Sequence, residues 1–194
     1  STLDADADTV ILVGERAAGL PGAFSALADL TERTGARVAW IPRRAGDRGA
    51  LEAGCLPGLL PGGRPVADAA ARVDLAAAWG AEVPSAPGLT GAQILAATAA
   101  GELNALVVAG LQPTDFADAQ ATRDGIEKAG FVISLESRQS EVTERADVVF
   151  PVDLIEEQAG TFWNWEHRPG RVNRVIKRVP SPMTDVRVLA MLAD

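Results

Sequence analysis

Short apolar runs closed by glycine alternate along the chain with stretches whose apolar positions recur at helical spacing. Thr9 to Gly14 (TVILVG) is such a run and predicts a strand buried on both faces. Pro21 then stands near a helix start, and Phe24, Leu27 and Ala28 share one face of a helix running to Thr34. Gly35 is placed to close it in the left-handed conformation, and Arg37 to Ile41 supplies a second strand. This is a βαβ unit. From Ala67 to Trp79 the chain is alanine-rich and helical in pattern, with Asp68 available as N-cap. Pro84 to Gly88 marks a turn, and Thr90 to Ala100 reads as a helix closed by Gly101. Ala105 to Ala109 is a strand, Thr114 or Asp115 is positioned to cap a helix through Ala129, and Gly130 ends it. Phe131 to Leu135, a short helix from Ser140 to Ala146, and Asp147 to Phe150 complete the alternation.

Between Pro42 and Pro65 the pattern dissolves into arginine, glycine and proline, so residues 42–66 are expected to form a long irregular excursion. Near the other end, Val172, Arg174, Ile176 and Arg178 follow a two-residue period, which predicts an extended edge ribbon from Arg171 to Val179 within a loop-and-ribbon region, 152–180. Strands alternating with helices build an α/β fold. The expected architecture is one domain over residues 1–194, a doubly wound, mostly parallel sheet with helices on both faces, carrying the excursion and the ribbon.

Composition narrows the function classes. Apolar residues at 47% and charged residues at 23% match a soluble globular chain, and no apolar run is long enough to span a bilayer. The start has neither a basic region nor an apolar core, so no secretory signal is expected, and the missing initiator Met suggests an excised piece of a longer chain. A net charge of −8 argues against a nucleic-acid surface. The single cysteine, Cys55, excludes an intramolecular disulfide and a cysteine-ligated zinc or iron–sulfur centre within these residues, so no metal is expected here.

Few motifs carry chemistry. Gly14 to Gly19 has the spacing that opens a P-loop, but Leu20 and Pro21 stand where Lys and Ser or Thr would have to be. The dinucleotide fingerprint is absent after the first strand. His167 is the only histidine and has no recognisable nucleophile near it in sequence; Cys55 has no evident base. Glu156 and Glu157 read as a solvated pair. Phe162, Trp163 and Trp165 are expected to anchor a loop in a core, with a stacking platform as the functional alternative. Arg168, Arg171, Arg174, Lys177 and Arg178 form the one basic stretch, a docking surface for an acidic partner or a solvated strand face.

Three segments together resemble the molybdopterin-oxidoreductase family: Gly101 to Pro113 (GELNALVVAGLQP), Phe131 to Glu136 followed by Ala146 to Pro151 (ADVVFP), and Glu157 to Arg168 (EQAGTFWNWEHR). The third is similar to a family pattern Glu-x-x-Gly-Thr-x-x-Asn-x-Glu-Gly-Arg, with His167 where Gly is usual. Gln112 likewise stands where the family has Asn, and Gly170 where Gln often follows. In catalytic relatives this lobe helps hold a pterin guanine dinucleotide at the carboxyl ends of the strands. The resemblance therefore implies pterin-side positions at Gly110, Pro113, Glu136, Gly160, Thr161, Asn164, Glu166 and Arg168.

The departures favour the branch of the family that serves as the large iron–sulfur subunit of bacterial NADH–quinone oxidoreductase and has lost the molybdenum cofactor. On that resemblance the eight positions are vestigial and the chain has no catalytic residue. It is a scaffold domain that supports electron transfer from NADH to quinone without a redox centre of its own. Iron–sulfur clusters are expected only in an N-terminal part of the parent subunit. The partners are other subunits or domains of the respiratory complex, on the cytoplasmic side and peripheral to the membrane, without direct membrane insertion. The alternatives are a cofactor-holding lobe of a formate dehydrogenase or nitrate reductase, and a non-redox nucleotide-binding regulatory domain.

Overall fold

The computed structural model describes residues 5–42, 46–164, 166–177, 179 and 182–193. Arg43, Arg44, Trp165 and Arg178 lie outside the described residues. The chain divides into two compact units, Ser1–Arg48 and Gly49–Asp194.

The first unit is the anticipated βαβ. Strand β1 (Val10–Gly14) pairs in parallel with β2 (Arg37–Ile41), Val10 opposite Arg37 and Gly14 opposite Ile41. Helix α1 (Ala23–Thr34) joins them, and Gly35 closes it at φ 73°, donating its amide to Thr31 O. Burial departs from expectation. The strand expected to be buried on both faces buries only Val13, while Leu12 is 68% exposed. Phe24 and Trp40 stack with ring centroids 5.9 Å apart, yet both remain near half exposed. A two-stranded sheet with one helix has too little surface to cover both of its faces.

The second unit is centred on a three-stranded parallel sheet, β5 (Ala105–Ala109), β6 (Phe131–Glu136) and β7 (Val148–Pro151), in the order β5–β6–β7. Before it come α2 (Asp47–Ala53), the two-residue strands β3 (Leu59–Leu60) and β4 (Arg64–Pro65), α3 (Ala69–Trp79) and α4 (Gly91–Ala99). The excursion is thus not wholly irregular. Leu60 and Val66 pack against Ala71 and Leu75 of α3, because a tight Gly62-Gly63 turn returns the chain onto that helix. Asp68 caps α3 as anticipated, its carboxylate accepting from the amides of Ala70 and Ala71.

Alternation along the sheet sets its two faces. Leu106 and Val108 of β5 and Val132 of β6 meet Leu95 of α4, Ile126 of α5 (Ala119–Lys128) and Val142 of α6 (Glu141–Arg145). Leu135 of β6 points the other way, with Val188 of α7 (Asp185–Ala193) and Val152. Helices therefore flank this sheet on both sides, as the α/β reading requires.

Two boundaries differ from the sequence reading. Neither Thr114 nor Asp115 caps α5: Pro113–Asp115 forms a turn of 3₁₀ helix, and Asp118 caps instead, accepting from Ala121 N at 2.9 Å. The α7 helix has no counterpart in the sequence reading. The edge ribbon lies earlier than expected, as the antiparallel hairpin β8 (Gly160–Trp163) and β9 (Pro169–Val172).

Candidate functional site

In an open parallel sheet the carboxyl ends of the strands are where a ligand can be met by loops and helix starts together. At this end β6 runs Val132, Ser134, Glu136 along one face. Val132 sits in the core, while Ser134 and Glu136 carry that face from apolar to polar. Ser134 is fully buried and Glu136 is 6% exposed; Ser134 Oγ and Glu136 Oε1 have no hydrogen-bond partner among the described residues. Burial raises the Glu136 carboxyl above the ordinary range. Arg138 and the Ser137 amide pull it back, and Asp185 at the start of α7 pushes it up again. In front of it lies a groove of about 600 Å³ lined by Glu136, Ser137, Arg138, Gln139, Thr143 and Glu144, with Val149 and Pro151.

Two other candidates stand at the same end. Gly110 has φ 57° and donates its amide to Leu135 O at 3.1 Å, so the β5 end turns sharply beside β6. Pro113 is fully buried at the start of the 3₁₀ turn.

The chain leaving β7 brings further carboxylates. Val152 N donates to Glu136 O, and Asp153 and Glu157 are 3% and 1% exposed. Glu157 corrects the expectation of a solvated pair, for only Glu156 is exposed. The Glu157 side chain folds back to accept from Leu154 N at 3.0 Å. Arg174 reaches in over both acids, donating from Nε to Glu157 O at 2.6 Å and lying 3.6 Å from Asp153 Oδ2. Nothing in the adjacent-glutamate pattern signals this; the relevant partner is seventeen residues away.

The remaining candidates occupy the hairpin. Gly160 and Thr161 are exposed positions of β8, paired with Val172 and Arg171. Asn164 organises the turn: its Oδ1 accepts from Glu166 N at 3.0 Å and Arg168 N at 2.9 Å, and its carbonyl accepts from His167 N at 3.0 Å. His167 has φ 65°, the left-handed region that explains why a glycine is usual there. Its Nδ1 lies 2.9 Å from Glu52 Oε1, and its ring packs on Trp163 at 4.9 Å. Glu166 and Arg168 pair at 3.4 Å. The aromatics are less buried than expected. Phe162 is 45% exposed, with its ring lying across Gly170 on the facing strand, and Trp163 is partly buried.

The eight positions thus form two groups, Gly110, Pro113 and Glu136 at the sheet end, and Gly160, Thr161, Asn164, Glu166 and Arg168 in the hairpin. A pyrophosphate needs free amides or unpaired cations. Pro113 has no amide to offer, Asn164 is consumed by its own turn, Arg168 faces Glu166, and the groove sets the cation of Arg138 beside the carboxylates of Glu136 and Glu144.

Comparison with known proteins agrees with the motif arrangement. The family model described as molybdopterin oxidoreductase matches residues 8–193. The chain is 54% identical over 188 residues to the G subunit of the NADH-quinone oxidoreductase of Mycobacterium tuberculosis, covering 95% of this chain and 23% of that protein. It is 50% identical over 192 residues to the same-named protein of Streptomyces coelicolor, covering 95% of this chain and 22% of that one. A putative formate dehydrogenase of Bacillus subtilis is 30% identical over 149 residues, 76% of this chain and 15% of the relative. The chain thus spans less than a quarter of the length of the two NADH-quinone oxidoreductase relatives. With its strand ends, hairpin turn and full-length match in place, the chain belongs to the molybdopterin oxidoreductase family.

Proposed function

We propose that this chain is the scaffold domain of the G subunit of an NADH–quinone oxidoreductase, supporting electron transfer from NADH to quinone without holding a pterin or a redox centre itself. Identity of 50–54% to proteins of that name, against 30% to a putative formate dehydrogenase, is the observation that carries the assignment. The site chemistry supports the loss of the cofactor. Asn164 and Arg168 of the hairpin are engaged within their own turn, and two carboxylates, Glu136 and Glu144, line the groove at the sheet end against one cation, Arg138. The domain's role is then to hold neighbouring parts of the complex in place, peripheral to the membrane on the cytoplasmic side. No helix among the described residues is long and apolar enough to cross a membrane.

The second reading, a cofactor-holding lobe, draws on one observation, the buried Glu136 Oε1 that no protein donor among the described residues satisfies. Purification of the full-length polypeptide separates the two. Co-purification with NADH-oxidising, quinone-reducing partners and no stoichiometric molybdenum is the expected outcome. Stoichiometric molybdenum with formate or nitrate turnover would replace the scaffold reading by the second one.

A further inference from the structure

From Arg168 to Arg178 the sequence RPGRVNRVIKR holds five basic residues and no acid, in a chain whose net charge is −8. Among its described residues, Arg171 and Lys177 are exposed and make no ion pair. Interleaved with them are Val172, Val175, Ile176 and Val179; Val175 is 82% and Val179 83% exposed. Single exposed aliphatics are ordinary, but four of them threaded through a cationic strip are not. The segment is also held in place. Arg174 anchors it to Asp153 and Glu157, and the amides of Val175 and Ile176 both donate to Glu156 O, at 2.9 and 3.0 Å.

We propose that residues 168–177 form a docking strip, anchored at Arg174, Val175 and Ile176, for a different polypeptide, one whose surface presents carboxylates around an aliphatic patch. Charge selects the partner's sign: with Arg168 held by Glu166 and Arg174 by Asp153, the exposed cations of Arg171 and Lys177 are left to be complemented by carboxylates of the partner. The aliphatics select its class. A phosphate backbone satisfies the cations and leaves Val175 and Ile176 in water, whereas a protein surface covers both. A two-fold contact centred on the strip would set like charge against like, which disfavours a second copy of the chain. Because the backbone is already fixed by Glu156 and Arg174, little ordering cost is left for association.

The chain has two lysines, and both are exposed: Lys177 in the strip and Lys128 at the end of α5. They permit a footprint on the full-length polypeptide in its native low-salt extract. Acetylation is expected to spare Lys177 and modify Lys128, with protection lost at high salt. Carbodiimide coupling is expected to join the Lys177 amine to a carboxylate of another polypeptide. Arg171→Glu and, separately, Val175→Asp, both at exposed positions, should restore Lys177 reactivity without changing the melting temperature. Equal reactivity of the two lysines would overturn the proposal. So would protection abolished by nuclease, protection abolished by detergent, or a cross-link to a second copy of residues 1–194. The readout does not depend on the partner being a respiratory protein, so it fails separately from the scaffold assignment.

Discussion

Glu136 shows how one buried carboxylate reads at the residue scale. Its place at the strand end follows from the family resemblance, but its burial does not, because a glutamate after an apolar run is ordinarily solvent-facing. The period of two along β6 explains the difference: Glu136 shares the face of Val132 and Ser134 and is carried under the loop that follows β7. Its carboxyl is raised, chiefly by burial, so the folded protein holds this proton more tightly than the unfolded chain. That contribution to stability is complete below the unfolded-state carboxylate range and is lost as pH rises through the higher folded value. Glu136→Gln should match the parent in acid and exceed it at neutral pH by about 1 kcal/mol. Urea titrations at the two pH values measure this. A variant weaker than the parent at neutral pH would mean that the carboxylate has a donor worth keeping.

At the scale of elements, the hairpin and the helix pair each turn on a residue whose role is positional. The pattern from Glu157 to Arg168 is legible in the sequence as a family signature, yet its physical content is a turn. Asn164 holds three backbone groups of the loop, and the left-handed position falls at His167. Asn164→Ala leaves two amides without their acceptor and should cost about 1–3 kcal/mol, seen as a lower melting temperature of the whole chain. A ligand-binding role alone would leave the melting temperature of the ligand-free protein unchanged. Helices α4 and α5 meet at Gly125, where an added Cβ would sit 2.7 Å from Leu95 O. Gly125 looks like a defect in a helical pattern, since glycine lowers helix propensity, and only the packing shows why it is there. Gly125→Ala should therefore destabilise by about 1–3 kcal/mol despite better propensity, because the helices must separate. Chemical denaturation that found it neutral or stabilising would show that the pair can spread freely. Asp118 makes the complementary point: Thr114 and Asp115 have equal claims as caps by type, and the 3₁₀ turn at Pro113 moves the helix start past both.

For the whole molecule, the strands and most helices are readable because each apolar run is short, bounded by glycine, and spaced from the next by a helix. How much each element buries is not readable in this way, since burial depends on contacts remote in sequence. The two units differ most in this respect. Among the described residues, Ser1–Arg48 buries only the apolar side chains of Val13 and Ala36, and none of α1. In Gly49–Asp194 three separate apolar clusters surround α3 and the two faces of the β5–β6–β7 sheet. Local opening follows local burial, so amides with little apolar cover should exchange through small fluctuations and those in the core only through larger ones. Hydrogen exchange on the isolated chain is therefore expected to exhaust the β1–β2 ladder first. Ile133 to Leu135, paired on both sides and covered on both faces, should be the last to exchange. Equal protection of the two ladders would mean that β1 and β2 gain cover that their exposed Leu12, Val38 and Trp40 do not reveal. In the full-length polypeptide the same amides report on docking. If another part of the polypeptide or a partner protein seats on this apolar face, protection there should rise while the β6 amides stay as they were.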